Sequence, residues 1–506
     1  MHEAHLRERK PTRRAVQALR RPRSGRRNGR NKIKLSFEDM ERAGRCDHVI
    51  ARRLRAHEGK EVSRLNIGSI AGVRKNGRRL GIRANWAQFS VYTLITALIG
   101  ITIGTERVAL PPLAHRDFGV TSTLYTVSFI AAFGLVKSLM NLVSGRLSDN
   151  RGRRLILLAG WVFAVPFALL IIFARSWWWV ILANLFLGVN QALTWTMAVT
   201  AKIDLVGPSG RGLAVGIDES AGYLGVGIGG FIAGLLVANY GLRPAPYVLA
   251  LAVAALGAVV TLLAARETLP WAQLEATGTA GKATSPAQPR LAHLAAYMSW
   301  KDRSMLAVCQ AGMVNKVADS LVAAFFPLYF LRRGMTLSEV GLLVGIYAWV
   351  WGLGQVLSGA LADKVGRKLP ITGGTFLIAV GMGIMMAGSA RVLWFAGAVV
   401  MGTGMALVYP NLITAVGDNS HPSWRGGALG VYRFWRDSGY VVGPILLGGV
   451  AAAWGMSAAM WTGAAMVFAS GVVLIFLLHE TSPRRALRPP AWQARPELLG
   501  HGTAAG

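Results

Sequence analysis

Between Phe89 and Leu478 the chain alternates apolar runs of about 20 residues with short polar breaks, and twelve such runs can be counted. They lie near 88–110, 122–144, 155–173, 177–200, 212–238, 244–265, 305–330, 336–358, 370–389, 392–416, 426–453 and 456–478. At ~1.5 Å per residue each is long enough to cross a hydrocarbon layer of ~30 Å. In lipid an unpaired backbone amide or carbonyl costs several kcal/mol, so only helices or closed barrels span it. The period-two alternation of a barrel is absent, and the pattern predicts an all-α membrane protein with twelve transmembrane helices.

The polar intervals divide the chain further. Residues 1–85 hold no apolar run and read as a basic, disordered cytoplasmic extension. Residues 86–266 and 303–480 each hold six spans, and 481–506 read as a cytoplasmic tail. Residues 267–302, rich in Ala, Thr, Gly and Pro, read as a flexible connection between the two sets.

The two sets repeat each other. Gly145-Arg-Leu-Ser-Asp149-Asn-Arg-Gly152-Arg153-Arg154 recurs as Gly359-Ala-Leu-Ala-Asp363-Lys-Val-Gly366-Arg367-Lys368, 214 residues later. Arg211, Asp204 and Pro208 recur as Arg425, Asp418 and Pro422 at the same offset. A fixed offset across separated matches predicts two pseudo-symmetric six-helix bundles.

On these residues the chain resembles the major facilitator superfamily, whose signature loop matches Gly145–Arg154 and its copy Gly359–Lys368. The resemblance covers about residues 86–480. It implies a secondary transporter that rocks two halves around a central site, working as a monomer on a small-molecule substrate. It also implies that Gly145, Asp149, Gly152, Arg153, Arg154 and Asp204, with Gly359, Asp363, Gly366, Arg367 and Asp418, latch one state. Read from the residues alone, glycines permit a tight turn at a helix end and a carboxylate there caps a helix or pairs with a base; the alternative is a loop that only sets topology.

Composition adds a lipid-facing surface. The 506 residues are 53% hydrophobic and only 16% charged, with a mean hydropathy of +0.41, against ~25% charged in ordinary globular proteins. The net charge is nevertheless +31, of which residues 1–85 supply +17 from 25 Lys and Arg against 8 Asp and Glu. Elsewhere the even-numbered loops and the tail carry 19 Lys and Arg and the odd-numbered loops six, which places both termini in the cytoplasm of a plasma (inner) membrane.

An ionisable side chain at mid-membrane costs roughly 2.5–3.5 kcal/mol, so each one is a candidate for function. Within the spans these are Glu106, Arg107, Lys137, Asp218, Glu219, Lys316, Asp319, Arg433, Arg436 and Asp437, five acids and five bases. Lys316 with Asp319 and Arg433 with Asp437 have helical spacing for pairing on one face. Asp218, Glu219, Asp319 and Asp437 are the candidates for proton coupling; Arg436, Arg433, Lys316, Lys137, Asn190 and Asn411 are those for substrate. Asp218, Gly222, Gly225 and Gly229 form a helical stripe that suits close packing. Gly439-x-x-x-Gly443-Pro444 resembles a glycine-proline motif of proton-coupled antiporters, although that motif belongs in the fifth span, which here lacks the proline.

Several classes of function are disfavoured. No nucleophilic triad, phosphate loop or spaced metal-ligand cluster argues for an enzyme, a cofactor or a metal. Cys46 and Cys309 do not make a disulfide framework. The basic extension suits attraction to anionic lipid, a plain tail, or sequence upstream of a start at Met40; the lack of interleaved aromatics argues against nucleic acid. The function read from the whole is proton-coupled transport of a small organic solute, with efflux by antiport preferred. The alternatives are uptake of an anionic metabolite by symport and a transport-like membrane sensor or scaffold acting through the basic arm.

Overall fold

The computed structural model describes residues 78–120, 128–279, 288–494 and 496–499, all within one compact unit, Gly68–Gly506. The expectations for residues 1–77, including Cys46, fall outside the described residues. Among those described, the elements are helical throughout. The first six long helices are α1 (Trp86–Arg116), α2 (Ser128–Arg151), α3 (Arg153–Ile172), α4 (Trp177–Val206), α5 (Arg211–Tyr240) and α6 (Ala245–Leu263). After α7 (Leu269–Thr279) and α8 (Leu291–Ala296) come α9 (Arg303–Ala324) with its bent continuation α10 (Phe326–Arg332), α11 (Leu337–Val365), α12 (Lys368–Ala387), α13 (Arg391–Asp418), α14 (Arg425–Trp454) and α15 (Met456–Leu477). A short helix α16 (Ala491–Ala494) lies in the tail.

Among the described residues, each of the twelve apolar runs falls on a long helix or, for 305–330, on the bent pair α9–α10. Ten are apolar enough on their own to cross a membrane, and the bent pair α9–α10 makes an eleventh. The twelfth, α14, is also long enough, but it carries Arg425, Arg433, Arg436 and Asp437, all buried. Charge that lowers its hydropathy is thus turned inward and away from lipid.

Local chemistry sets the ends. Gly152 and Gly366 turn the chain with φ of 92° and 101°, conformations open to glycine. The helices that follow begin with backbone N–H groups lacking intrahelical partners, and a carboxylate just past the last helix of the same half accepts them. Glu267 takes the Arg153 and Arg154 N–H groups at 2.9 and 3.0 Å, and Glu480 takes those of Arg367 and Lys368 at 2.8 and 3.2 Å. A side chain on either glycine would meet that carboxylate.

Packing along the α5 stripe is close. Gly225 and Gly229 lie against the backbone at Ala97 and Ile101 of α1, and Gly222 against Trp195 and Thr96. Gly439 and Gly443 of α14 similarly face Met313 and Ser320 of α9. These glycines therefore serve as packing surfaces, the commoner use of such stripes.

Within the segment expected as a flexible connection, the described residues 267–279 and 288–302 make buried contacts. Trp271, Ala272, Leu274, Glu275 and Ala276 of α7 are buried, Trp271 Nε1 donates to Asn85 Oδ1 at 3.0 Å, and Leu294 and Tyr297 join the core of the second bundle. A few large apolar residues among many small ones anchor these described parts, a signal that average composition dilutes.

Candidate functional site: a cavity between the halves and a charged closure

The two halves meet along α2 with α14 and α5 with α11. Near the end where α2 passes into α3 and α11 into α12, Gly145 faces the Gly426 backbone, and Gly359 faces that of Gly212. The two contacts are equivalent under the 214-residue offset. Farther along, Phe129 and Ile130 of α2, Val344 of α11 and Pro444 of α14 border a cavity between the halves. The halves thus touch at this charged end and part toward the other.

A chain of ion pairs closes the charged end. Asp149 pairs with Arg153 at 3.2 Å, Arg153 with Asp204 at 2.9 Å, and Asp204 with Arg425 of the other half at 3.1 Å. Its duplicate runs from Asp363 to Arg367 at 2.7 Å, Arg367 to Asp418 at 2.9 Å, and Asp418 to Arg211 of the first half at 2.6 Å. The outer acids also cap helices across the interface: Asp149 accepts from the Gly426 and Gly427 N–H groups, Asp363 from those of Gly212 and Leu213. Each carboxylate sits at a helix N-terminus, where orphan donors and the helix dipole favour it.

Glu275 joins the two copies. Its Oε1 lies 2.7 Å from both Arg211 and Arg425. Burial alone would raise its pKa, but Arg425 and Arg211 hold it below the usual carboxylate range. Sequence reasoning missed this residue because α7 has no counterpart in the repeat. Arg154, by contrast, does not enter the network: its guanidinium donates to Thr261 and Leu262 carbonyls of its own bundle.

Between the halves, toward the open end, lies a cavity of about 350 Å³, within the usual range for ligand pockets. Arg107, Lys137, Lys316, Arg433, Arg436 and Glu106 are its charged lining; Phe133, Trp195, Tyr223, Tyr409 and Tyr440 are among its aromatic walls. The other acids are partners to these cations. Asp437 lies 2.5 Å from Arg436 and 3.8 Å from Lys137 of the other half, and accepts from Asn141 at 2.9 Å. Glu219 pairs with Arg433 across the interface at 3.1 Å and accepts from Trp195 Nε1 at 3.0 Å. Lys316 pairs with Asp319 at 2.7 Å. Two reciprocal pairs, Lys137–Asp437 and Glu219–Arg433, therefore tie the halves together beside the cavity.

The sequence-predicted residues separate on this geometry. Lys316 and Asp319 meet on their own helix as their spacing suggests, whereas Arg433 turns to Glu219 instead of Asp437. Asp218 does not line the cavity. It is fully buried against Lys202 and accepts from Thr96 at 2.7 Å. Lys202, counted from sequence as a loop charge, lies within α4 and is itself fully buried. Asn190 and Asn411 also lie outside the lining: Asn190 donates to the Gly160 carbonyl, and Asn411 to Ser358 and Leu407. Arg107 and Tyr440 were not singled out as substrate contacts, yet both line the cavity and Arg107 donates to the Tyr440 hydroxyl at 3.1 Å. No group of His, Cys, Asp or Glu suited to a metal occurs among the described residues.

Comparison with known proteins bears on this architecture. The family profile described as Major Facilitator Superfamily matches residues 92–436 and, in an overlapping match, 308–504. Multidrug resistance protein MdtG of Proteus mirabilis is 27% identical over 341 residues, covering 64% of this chain and 78% of MdtG. The transporter FucP in its outward conformation superposes with a TM-score of 0.62 at 14% identity, over 77% of this chain and 98% of FucP. The human organic anion transporter MFSD10 gives 0.61 at 17% identity, over 77% and 99%. At those identities the two structures speak to fold alone.

Proposed function

This chain belongs to the Major Facilitator Superfamily, a family of multi-pass membrane transporters, and we propose that it carries a small organic solute across the plasma (inner) membrane by alternating access coupled to protons. The observation carrying the reading is the pair of cross-half contacts, Lys137–Asp437 and Glu219–Arg433, beside a cavity closed at the charged end. A proton on Asp437 or Glu219 removes one charge of a pair that holds the halves together. Such binding shifts the balance between two arrangements, because it favours the one in which that pair is broken. Asp319, already tied to Lys316 on its own helix, is the third candidate.

The closure network is read as the latch of this state. Orientation follows the excess of basic residues at that end, so the latch faces the cytoplasm and the cavity opens outward. Efflux by antiport is the preferred direction: it accords with the multidrug resistance name of the Proteus mirabilis relative. A proton entering the outward cavity would then displace solute.

The test begins with a thermal-shift screen of small organic solutes on the purified protein, since a ligand of the folded state stabilises it by mass action. The strongest stabiliser is loaded into proteoliposomes that report internal pH. We expect solute efflux to carry protons inward, and Asp437→Asn to lose gradient-driven flux by about 100-fold while retaining solute exchange. Wild-type flux indifferent to a pH gradient removes proton coupling from the reading.

A further inference from the structure

Charge around the cavity is asymmetric in depth. Five cations reach its lining against the single carboxylate of Glu106. The carboxylates that compensate them, Glu219, Asp319 and Asp437, stand outside the lining, so an occupant meets ammonium and guanidinium groups first. These three acids are engaged by Arg433, Lys316 and Arg436. Arg107 has no carboxylate within ion-pair distance among the described residues, and its side chain is exposed to the cavity.

Two of the cations also converge. Arg107, from the first half, donates to Tyr440 Oη at 3.1 Å, and Lys316, from the second, donates to the same oxygen at 3.2 Å. The Tyr440 hydroxyl thus accepts from two positive groups while donating to Asp319 Oδ2 at 3.4 Å; Asp319 already serves Lys316, so an added anionic oxygen is best placed on the Arg107 side. The buried Nε atoms of Arg433 and Arg436 have no hydrogen-bond partner, leaving further donor capacity close by. Around these groups the walls are apolar and aromatic, including Ile103, Phe129, Phe133 and Val226.

We propose that the cavity takes an organic monoanion with an apolar body, its acidic group seated on the Arg107 side of Tyr440 and its body against the aromatic walls. This deepens the transport reading and rests on the cavity being the transport site. An anion there balances the unpaired Arg107, whereas a cationic solute faces five like charges with one carboxylate to receive it. Because Arg107 and Tyr440 belong to different halves, the occupant also bridges the surfaces that must close over it.

The experiment uses the full chain in detergent and three probes sharing one body: 1-naphthoate, 1-naphthylmethanol and 1-naphthylmethylammonium. Equilibrium binding is read by quenching of tryptophan fluorescence, since Trp195 lines the cavity, and checked by thermal shift. The expected result is saturable naphthoate binding at least about tenfold tighter than either other probe. Arg107→Gln should weaken it about tenfold, and Arg107→Lys, which keeps the charge, should restore most of the loss; unliganded melting of both variants reports folding.

Binding of the ammonium or the alcohol as tight as that of naphthoate overturns the inference, as does the absence of a naphthoate response. An Arg107→Gln variant that folds and binds naphthoate like the parent overturns the proposed seat. No flux enters these measurements. Selective naphthoate binding without proton-coupled movement would keep the inference and sink the transport reading, while coupled movement of a cation without naphthoate binding would do the reverse.

Discussion

Asp218 and Asp437 are both wholly buried carboxylates in a membrane helix, but their surroundings give them different tasks. Asp437 touches cations from both halves, so its charge state bears on how the halves sit. Among the described residues Asp218 pairs with Lys202 and accepts from Thr96, both of its own half, so its neutralisation strands a buried ammonium. Breaking such a pair by removing one partner costs about 3–5 kcal/mol, whereas an apolar replacement of both partners is often tolerated. Asp218→Asn should therefore lower unfolding stability by about that amount, and Asp218→Leu with Lys202→Met should recover most of it in a denaturant titration. Thermal melts of Asp218→Asn that match the parent would contradict this assignment. Within the site, the sequence made the ten span charges visible because each violates an apolar run. Partner choice was not visible, since it depends on which helix lies opposite: Lys202 looked like a loop charge from its place at the end of a run, and Arg433 looked committed to Asp437 by spacing alone.

His421 offers a separate test at the charged end. Its side chain is only 4% exposed, packed edge-on to Trp492, and its Nδ1 accepts from the Ser423 amide at 3.2 Å. Burial and the nearby Arg425 push its pKa down to about 4. An unfolded histidine titrates near ~6.5, so between those values the unfolded chain binds more protons than the folded one, and stability falls as pH is lowered through this window. After solvent screening the contribution is ~1–2 kcal/mol. The melting temperature should decline from pH 6.5 to pH 4 more steeply in the parent than in His421→Asn; equal slopes would remove His421 as the cause.

Helix α7 shows how an element outside the repeat can complete what the repeat begins. The duplicated motifs supply four arginines and four aspartates, and each copy already reaches across the interface through Arg425 or Arg211. Glu275 contributes a fifth carboxylate at their junction, in contact with one arginine from each copy. The repeat brought Asp149, Arg153 and Asp204 with Asp363, Arg367 and Asp418 to notice in the sequence; it also matched Arg211 with Arg425 without giving them a part in the closure, and it drew in Arg154, whose guanidinium turns to its own bundle. Glu275 was hidden because its helix reads as a linker and has no partner at the 214-residue offset. Its depressed pKa means that its stabilising charge is present above the ordinary carboxylate range and is lost only as pH falls through its lower folded value. At neutral pH Glu275→Gln should therefore weaken the closure without acid. Removing one charged partner from a buried network costs about 1–3 kcal/mol, so amide exchange at Gly426 and Gly427, the groups capped by Asp149, should quicken about tenfold or more in the variant. Unchanged exchange there would confine Glu275 to holding α7 in place.

Closure of the charged end depends on backbone approaching backbone, which ties the conformational balance of the entire protein to two glycine contacts. Gly359 stands against the Gly212 carbonyl, and Gly145 stands in the equivalent place against Gly426. A methyl group at Gly359 would collide with main chain, which a rotamer change cannot relieve, so the halves must separate at that end. In the described arrangement the cavity opens away from this closure, and separating the halves here favours the opposite arrangement. Gly359→Ala should thus lower the population of the present state, and a ligand selective for that state loses apparent affinity in proportion to the population lost. If the substitution takes that population from nearly all to about one tenth, apparent affinity falls about tenfold. Gly341→Ala, on the same helix but with open space at the site of its new methyl group, provides the matched control. Accessibility of the two ends to a membrane-impermeant thiol reagent, read from cysteines placed at Ser148 near the closure and at Ile130 in the cavity, should change in opposite directions in Gly359→Ala alone. Parallel changes at both ends would indicate local unfolding, and no change would show that the glycine contact does not govern the balance between the two states.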